Sequence, residues 1–304
     1  MTKETPAMPD PLSLGEYRIH TAREGFSSIL HVASGEIMHS RVDPMAEAHG
    51  LYSGQAHLAE RLQHGDLACE LVVWDVGLGA AANAMSALEI YEQIAASGRK
   101  LRPLRIISFE NDLDSLRLAL RHPDRFPYLQ HEGPVALVER CEWTSDRFPG
   151  LSWQLVPGDF PETIARASHP PEVIYYDMYS TKTCATPWLP ETFRRLFAAC
   201  AGRGAELFTY TVSTASRLAM LSSGFQVARG RSMGGKEETT IAFTPQALIN
   251  GFAARHELLG GEWLAKWQRS AARFPAWLEA ADRETFTRQI LERPQFRNWA
   301  GQSV

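Results

Sequence analysis

Short, almost wholly apolar runs alternate with longer stretches of helical periodicity through the middle of the chain. Strands are predicted at 71–75, 105–110, 153–156, 173–176 and 205–211. Helices fall between them at 80–96, 112–121, 161–167 and 190–201, with 133–141 a helix or a helix ending in a loop. Strands that lack a polar alternation are buried on both faces, which argues for a parallel sheet covered by helices on each side. A helix at 213–222, stopped by Gly224, leads to strands at 225–229 and 239–243, read as a closing hairpin that adds antiparallel edge strands. Ahead of this region, 17–21 and 27–31 read as a small antiparallel flap, and 35–40 as a polar loop. Asp43 caps a helix with Pro44 in its first turn, and that helix is predicted to run through Leu51 to about Gln63.

The resulting division is a tail, flap and helix at 1–64, an α/β domain at 65–246 and a helical extension at 247–304. Residues 1–11 are expected to form a disordered tail. In the extension, Trp263, Trp267 and Trp277 stand among basic residues over 261–296; Trp263 and Trp267 share a face and are expected to pack on the main domain.

Composition narrows the function classes. The 304 residues are 44% hydrophobic and 22% charged, ordinary for a globular protein, and the net charge of −4 gives no global nucleic-acid footprint. A local patch remains open, with Arg217, Arg229, Arg231 and Lys236 grouped late in the chain. The four cysteines form no C-x-x-C pair, and no Cys/His spacing suggests zinc, so reduced thiols and no metal are expected. The N-terminus lacks a signal-peptide pattern, and no apolar run approaches the roughly 20 residues of a membrane span, which points to a cytoplasmic protein.

The chemical signal lies at the predicted strand ends. Asp75, Glu110, Asp159 and Asp177 each close a strand or its turn, where ligands bind in an open α/β sheet. Asp75 precedes Gly77 and Gly79, whose lack of a side chain lets a ligand approach the backbone before the helix begins. The segment 77–82 meets a relaxed dinucleotide fingerprint, so a nicotinamide oxidoreductase stays open on this turn alone. A carboxylate at the turn disfavours a pyrophosphate and favours a cationic ligand such as S-adenosylmethionine, which carries a sulfonium and an ammonium. Glu110 is placed to take both ribose hydroxyls, though its distance of about 30 residues from the turn exceeds the usual ~20 of a dinucleotide fold. Asp159 suits the adenine amino group or, equally, an N-cap for the helix at 161. Asp177 sits where donor and acceptor would meet, able to orient an amine and accept its proton, with Tyr179 and Ser180 forming a hydrogen-bonding rim.

Taken in order, the segments 35–40 (Gly-Glu-Ile-Met-His-Ser), 75–79 (Asp-Val-Gly-Leu-Gly), 107–110 (Ile-Ser-Phe-Glu), Gly158-Asp159, 176–180 (Tyr-Asp-Met-Tyr-Ser) with Trp188, 222–225 (Ser-Ser-Gly-Phe) and 234–236 (Gly-Gly-Lys) resemble the MnmC-like family. These are the S-adenosylmethionine-dependent methyltransferases that act on tRNA wobble uridine to make 5-methylaminomethyl-uridine. The resemblance implies a Rossmann-like methyltransferase fold, mostly a parallel twisted sheet. It implies Asp75, Gly77, Gly79, Asn83, Glu110, Asp159 and Asp177 around the donor, with Glu36, Met38 and Tyr52 shaping the pocket from the flap side. Asp177 would lie at the substrate amine as the catalytic residue, with Tyr179, Ser180, Lys182 and Lys236 on the substrate side. It further implies tRNA as partner and a separate enzyme that supplies the amine. The stretch 177–188 keeps the family length from Asp to Trp but lacks its Pro and Asn-Pro residues, which leaves a small-molecule or other acceptor as the alternative.

Overall fold

The computed structural model describes residues 10–39, 41–200, 202–232, 238–249, 251–271 and 273–297. The first nine residues of the expected tail, with Ser40 and the segment 233–237, lie outside them.

Four short strands, β1 (Ser13–Leu14), β2 (Tyr17–Thr21), β3 (Ser27–His31) and β4 (Glu36–Ile37), form an antiparallel meander in that order. The predicted polar loop at 35–40 thus contains a strand: Ile37 and Glu36 pair with Leu30 and His31, and the Met38 amide bonds to the Ile29 carbonyl. The next helix is not continuous. Asp43 caps Pro44–Glu47 through bonds from the Met45 and Ala46 amides, as expected. The chain then widens into a π-helical turn, Ala48–Ser53, and His57 adopts a left-handed conformation before Leu58–Gln63 restarts the helix. Tertiary packing overrides helical periodicity here: Leu51 and Tyr52 are fully buried, and the Tyr52 ring packs tilted against Tyr175.

The main sheet has nine strands: β5 (Leu71–Val76), β6 (Leu104–Glu110), β7 (Glu142–Thr144), β8 (Leu151–Pro157), β9 (Val173–Tyr176), β10 (Glu206–Thr209), β11 (Gln226–Gly230), β12 (Thr239–Phe243) and β13 (Glu257–Leu258). Their order is β13-β11-β12-β10-β9-β5-β6-β8-β7, with β10, β9, β5, β6 and β8 mutually parallel. The antiparallel β11–β12 hairpin forms as predicted, but it is not the edge. β12 inserts beside β10, and β13 closes that side of the sheet. β7 and β13 are too short, and β7 too polar, to announce themselves in the sequence.

Both faces are covered, which explains the unbroken apolar strands. Along β5, Leu71 and Val73 join the core beneath helix Ala82–Ala96 and the flap, while Val72, Trp74 and Val76 face helices Pro190–Ala199 and Thr214–Ser222. The C-terminal segment completes the second core. Trp263 stacks on Trp267 and Phe296, and helix Arg283–Leu291 inserts Phe286 and Ile290. Trp263 and Trp267 therefore pack as expected, but helix Gly261–Arg269 ends well before Trp277, so 261–296 is not one helix.

Candidate functional site

The parallel strands end on one side of the sheet, and the turn after β5 crosses their tips. Gly77 has φ +87° there. A Cβ on it would stand 2.7 Å from the Asp177 carbonyl oxygen and 3.0 Å from its carbonyl carbon. Only glycine lets the ends of β5 and β9 approach this closely. Gly79, at φ +52°, faces the flap, with the Met38 sulfur 3.1 Å from where its Cβ would be. Ala81, at φ +65°, turns the chain into the helix beginning at Ala82.

These elements enclose a cavity of about 430 Å³. Of the sequence-predicted residues, Glu36, Met38, Gly77, Gly79, Asn83, Glu110, Asp177 and Tyr179 line it. Glu110 spans two strand tips: its Oε1 accepts the Asn111 and Asp112 amides at 2.9 and 3.1 Å, and its Oε2 accepts the Gly79 amide at 3.1 Å. Burial raises its carboxyl above the usual range, against the pull of those three amides. Asp177 Oδ2 accepts from Asn83 Nδ2 at 2.8 Å. Its carboxyl is also raised, chiefly by burial, with His39, Tyr52 and Asn83 opposing and Glu47 adding to the rise. Tyr52 is buried behind this carboxylate rather than on the cavity wall; burial and Asp177 push its hydroxyl well up.

Two residues, Asp75 and Ser180, sit differently from their sequence assignments, and Asp159 lacks the capping bond of one of its two. Asp75 is fully buried beneath the turn, away from the cavity. Its Oδ2 accepts from Ser108 Oγ, which in turn accepts from Trp153 Nε1, both at 2.8 Å, so the group stitches β5, β6 and β8 together. Desolvation pushes its carboxyl up to about 8, against the Ser108 bond and with Asp177 and Glu110 adding to the rise. Enclosed in this way, the side chain does not reach the cavity where the sequence placed it as a donor contact. Asp159 is exposed at the rim, where Asn111 Nδ2 donates to it at 2.6 Å, and its side chain makes no capping bond to the helix at Phe160. Ser180 does not offer its groups to a substrate. Its amide and hydroxyl both donate to Glu36, at 2.9 and 3.0 Å, and Thr183 Oγ1 joins them. Glu36 thereby latches the flap to the loop after Asp177.

On the substrate side, Tyr179 packs its ring on His31, with centroids 5.4 Å apart, and Lys182 is exposed outside the cavity wall. Lys236 lies outside the described residues. Two members of the late basic group are structural: Arg217 is buried and bonds Glu238 at 2.8 Å, and Arg229 faces Glu238, Glu257 and Glu262, while Arg231 is exposed.

Sequence reasoning missed His39, Glu47 and Tyr210 in the same cavity wall. His39 Nδ1 lies 3.0 Å from Glu47 Oε2, and Tyr210 Oη donates to the Met178 carbonyl at 2.9 Å. His39 stood inside a segment of the family resemblance, but its partner lies eight residues on and Asp177 far beyond. Among the described residues the wall carries Glu36, Glu47, Glu110 and Asp177 against Arg41 and His39, an acidic balance that suits a cation and opposes a pyrophosphate. No helix among the described residues is long and apolar enough to cross a membrane.

A wider cleft of about 550 Å³ opens among the C-terminal helices, apart from the strand tips. The Arg273 and Arg283 guanidinium groups stack on the Phe274 ring at 5.0 and 4.9 Å, with Arg288 beside them. Glu284 and Glu292 share the cleft without approaching to ion-pair distance.

Comparison with known proteins agrees with this geometry. The model of a family described as S-adenosyl-L-methionine-dependent methyltransferase matches residues 136–245. The tRNA 5-methylaminomethyl-2-thiouridine biosynthesis bifunctional protein MnmC of Cupriavidus necator is 30% identical over 148 residues, 45% of this chain and 22% of that protein. Its counterpart in Pseudomonas aeruginosa is 25% identical over 212 residues, 68% of this chain and 32% of that protein. The chain thus spans about a fifth to a third of these curated relatives. Among solved structures, MNMC2 from Aquifex aeolicus shares the fold with a TM-score of 0.64 at 18% identity, covering 92% of this chain and 85% of that one.

Proposed function

We propose that this chain carries an MnmC-like, S-adenosylmethionine-dependent methyltransferase domain and that its acceptor is the aminomethyl nitrogen of a tRNA wobble uridine. The observation that carries the reading is the position of Asp177, whose backbone packs against the glycine turn while its carboxylate, bonded by Asn83, lines an acidic cavity. The cavity fits the donor. Its volume lies within the range of about 300–1,000 Å³ for ligand sites, and its excess of carboxylates suits two positive charges. Glu110 Oε2 has one lone pair beyond the Gly79 bond, enough for one ribose hydroxyl; taking both, as the sequence suggested, would displace a backbone amide. When bound, S-adenosylmethionine supplies a methyl group already activated on sulfonium. The residues then have mainly to position: Asp177, fixed by Asn83, holds the acceptor amine, and the Glu36 latch keeps flap and loop closed against water.

The names of the curated relatives point to tRNA as the macromolecular acceptor. The Arg273, Arg283 and Arg288 cleft supports it with guanidinium groups that no carboxylate neutralises at ion-pair distance among the described residues. In this reading the enzyme works in the cytoplasm on tRNA whose amine a separate activity has made. The altered stretch 177–188, with Cys184 on the cavity wall, favours a different acceptor as the second reading. The test is transfer of radiolabelled methyl to undermodified tRNA. Label in the tRNA with wild type, and none with Asp177→Ala that still binds donor, supports the reading. Donor binding without tRNA labelling turns it to the second.

A further inference from the structure

We propose that His39, held by Glu47, is the group that takes the proton from the acceptor nitrogen. The inference rests on the acceptor being an amine. A protonated amine has no lone pair to attack with. It must lose a proton; the nitrogen pair then forms the N–CH₃ bond as the C–S bond breaks, its electrons passing to sulfur to leave a neutral thioether.

Three observations assign the proton to His39. First, the imidazole lines the same cavity as Asp177 and the glycine turn, entering from the segment after β4. Second, its orientation is set. Glu47 can only accept, so Nδ1 carries the hydrogen toward Oε2 at 3.0 Å, and in the neutral ring Nε2 holds the free lone pair. Nε2 has no other hydrogen-bond partner among the described residues. Third, the backbone at His39 is in the left-handed region, φ +51°, a conformation that costs energy for a side-chain-bearing residue and recurs at functional sites.

The electrostatics agree. Burial alone would lower the imidazole pKa, but the Glu47 bond, Asp177 and Asp43 outweigh it and raise it. Glu36 and Arg41 complete the charged groups of this wall. A raised imidazole is a closer match to an ammonium than a carboxylate is, and matched pairs exchange protons best. Asp177 is the complementary partner, an anion that holds the ammonium in place. The donor's positive charge, arriving beside His39, drives off any proton the ring carries and readies it as a base.

Two measurements test this. The first needs no turnover: donor binding is followed by calorimetry at neutral pH in buffers of different ionisation enthalpy. Wild type releases protons on binding, and His39→Gly releases markedly fewer; equal release would overturn the proposal. The second reads methyl transfer. Glycine relaxes the positive φ at this position, so His39→Gly should fold and bind donor within about threefold. It should lose roughly 10²–10⁴-fold in kcat and regain at least about tenfold with added imidazole. Glu47→Gln removes the charge that raises the ring, and should move the acid limb of kcat/KM about one pH unit lower. Loss without rescue, together with an unmoved acid limb, means a structural role and defeats the proposal. If wild type transfers no methyl to tRNA, the acceptor reading fails while the proton-release measurement still judges His39.

Discussion

Asp75 offers the sharpest separation between a residue that touches the donor and one that holds the sheet beneath it. Its carboxyl titrates near 8 in the folded protein, against 3.8 for the unperturbed group. Between those values the folded protein keeps a proton that the unfolded chain releases, so stability falls as pH rises from about 4 to about 8. At pH 7 the gap of about three units corresponds to about 4 kcal/mol, an upper bound for a fully enclosed group at 1.36 kcal/mol per unit. Asp75→Asn keeps the shape and the acceptor for Ser108 while removing the ionisation from the unfolded side. The variant should be more stable at pH 7 by up to about 4 kcal/mol. Its melting temperature should rise by several degrees, at ~2–4 °C per kcal/mol for a large domain, and fall less steeply with pH over 4–8, the remaining slope coming from the other raised carboxyls, Glu110 and Asp177. Donor affinity, read by calorimetry, should stay within about threefold, because the side chain does not reach the cavity. A variant that loses donor binding tenfold or more with no gain in stability would refute this assignment and restore Asp75 as a direct contact.

Other outcomes follow from the same geometry. Gly77→Ala puts a methyl 2.7 Å from the Asp177 carbonyl oxygen; it should cost about 1–3 kcal/mol in thermal unfolding and abolish transfer by displacing Asp177. Glu36→Ala removes the acceptor for Ser180 and Thr183, so limited proteolysis within 180–183 should accelerate and the donor KM should rise about tenfold or more. The double change Arg273→Ala and Arg283→Ala should weaken tRNA binding and flatten its salt dependence, while donor affinity measured without tRNA stays unchanged.

The parallel strands and the turn after β5 were legible because each depends on local signals: apolar runs of strand length, then glycines required by positive φ. The acids at the strand tips were legible as positions. Their exposure was not, since it depends on what crosses above them. Asp75 looked like a ligand contact because it precedes the glycines, yet Ser108 and Trp153 from neighbouring strands enclose it. Ser180 looked like a free rim hydroxyl until the flap brought Glu36 onto it from 144 residues away. The break at 48–57 was hidden because apolar spacing continues through it while the backbone widens to bury Tyr52. His39 and Glu47 were invisible for the same long-range reason. One sat in a stretch read as a polar loop and the other in the first turn of a capped helix, and only the fold brings them into one cavity with Asp177.

Methyl transfer to one nitrogen is read out by nucleoside analysis of the product. Undermodified tRNA is incubated with the enzyme and isotopically labelled donor, digested to nucleosides and analysed by mass spectrometry. The account predicts one labelled methyl on the aminomethyl nitrogen of the wobble uridine, absent with Asp177→Ala. Label on a base carbon, on a ribose or at another position in the tRNA would contradict it.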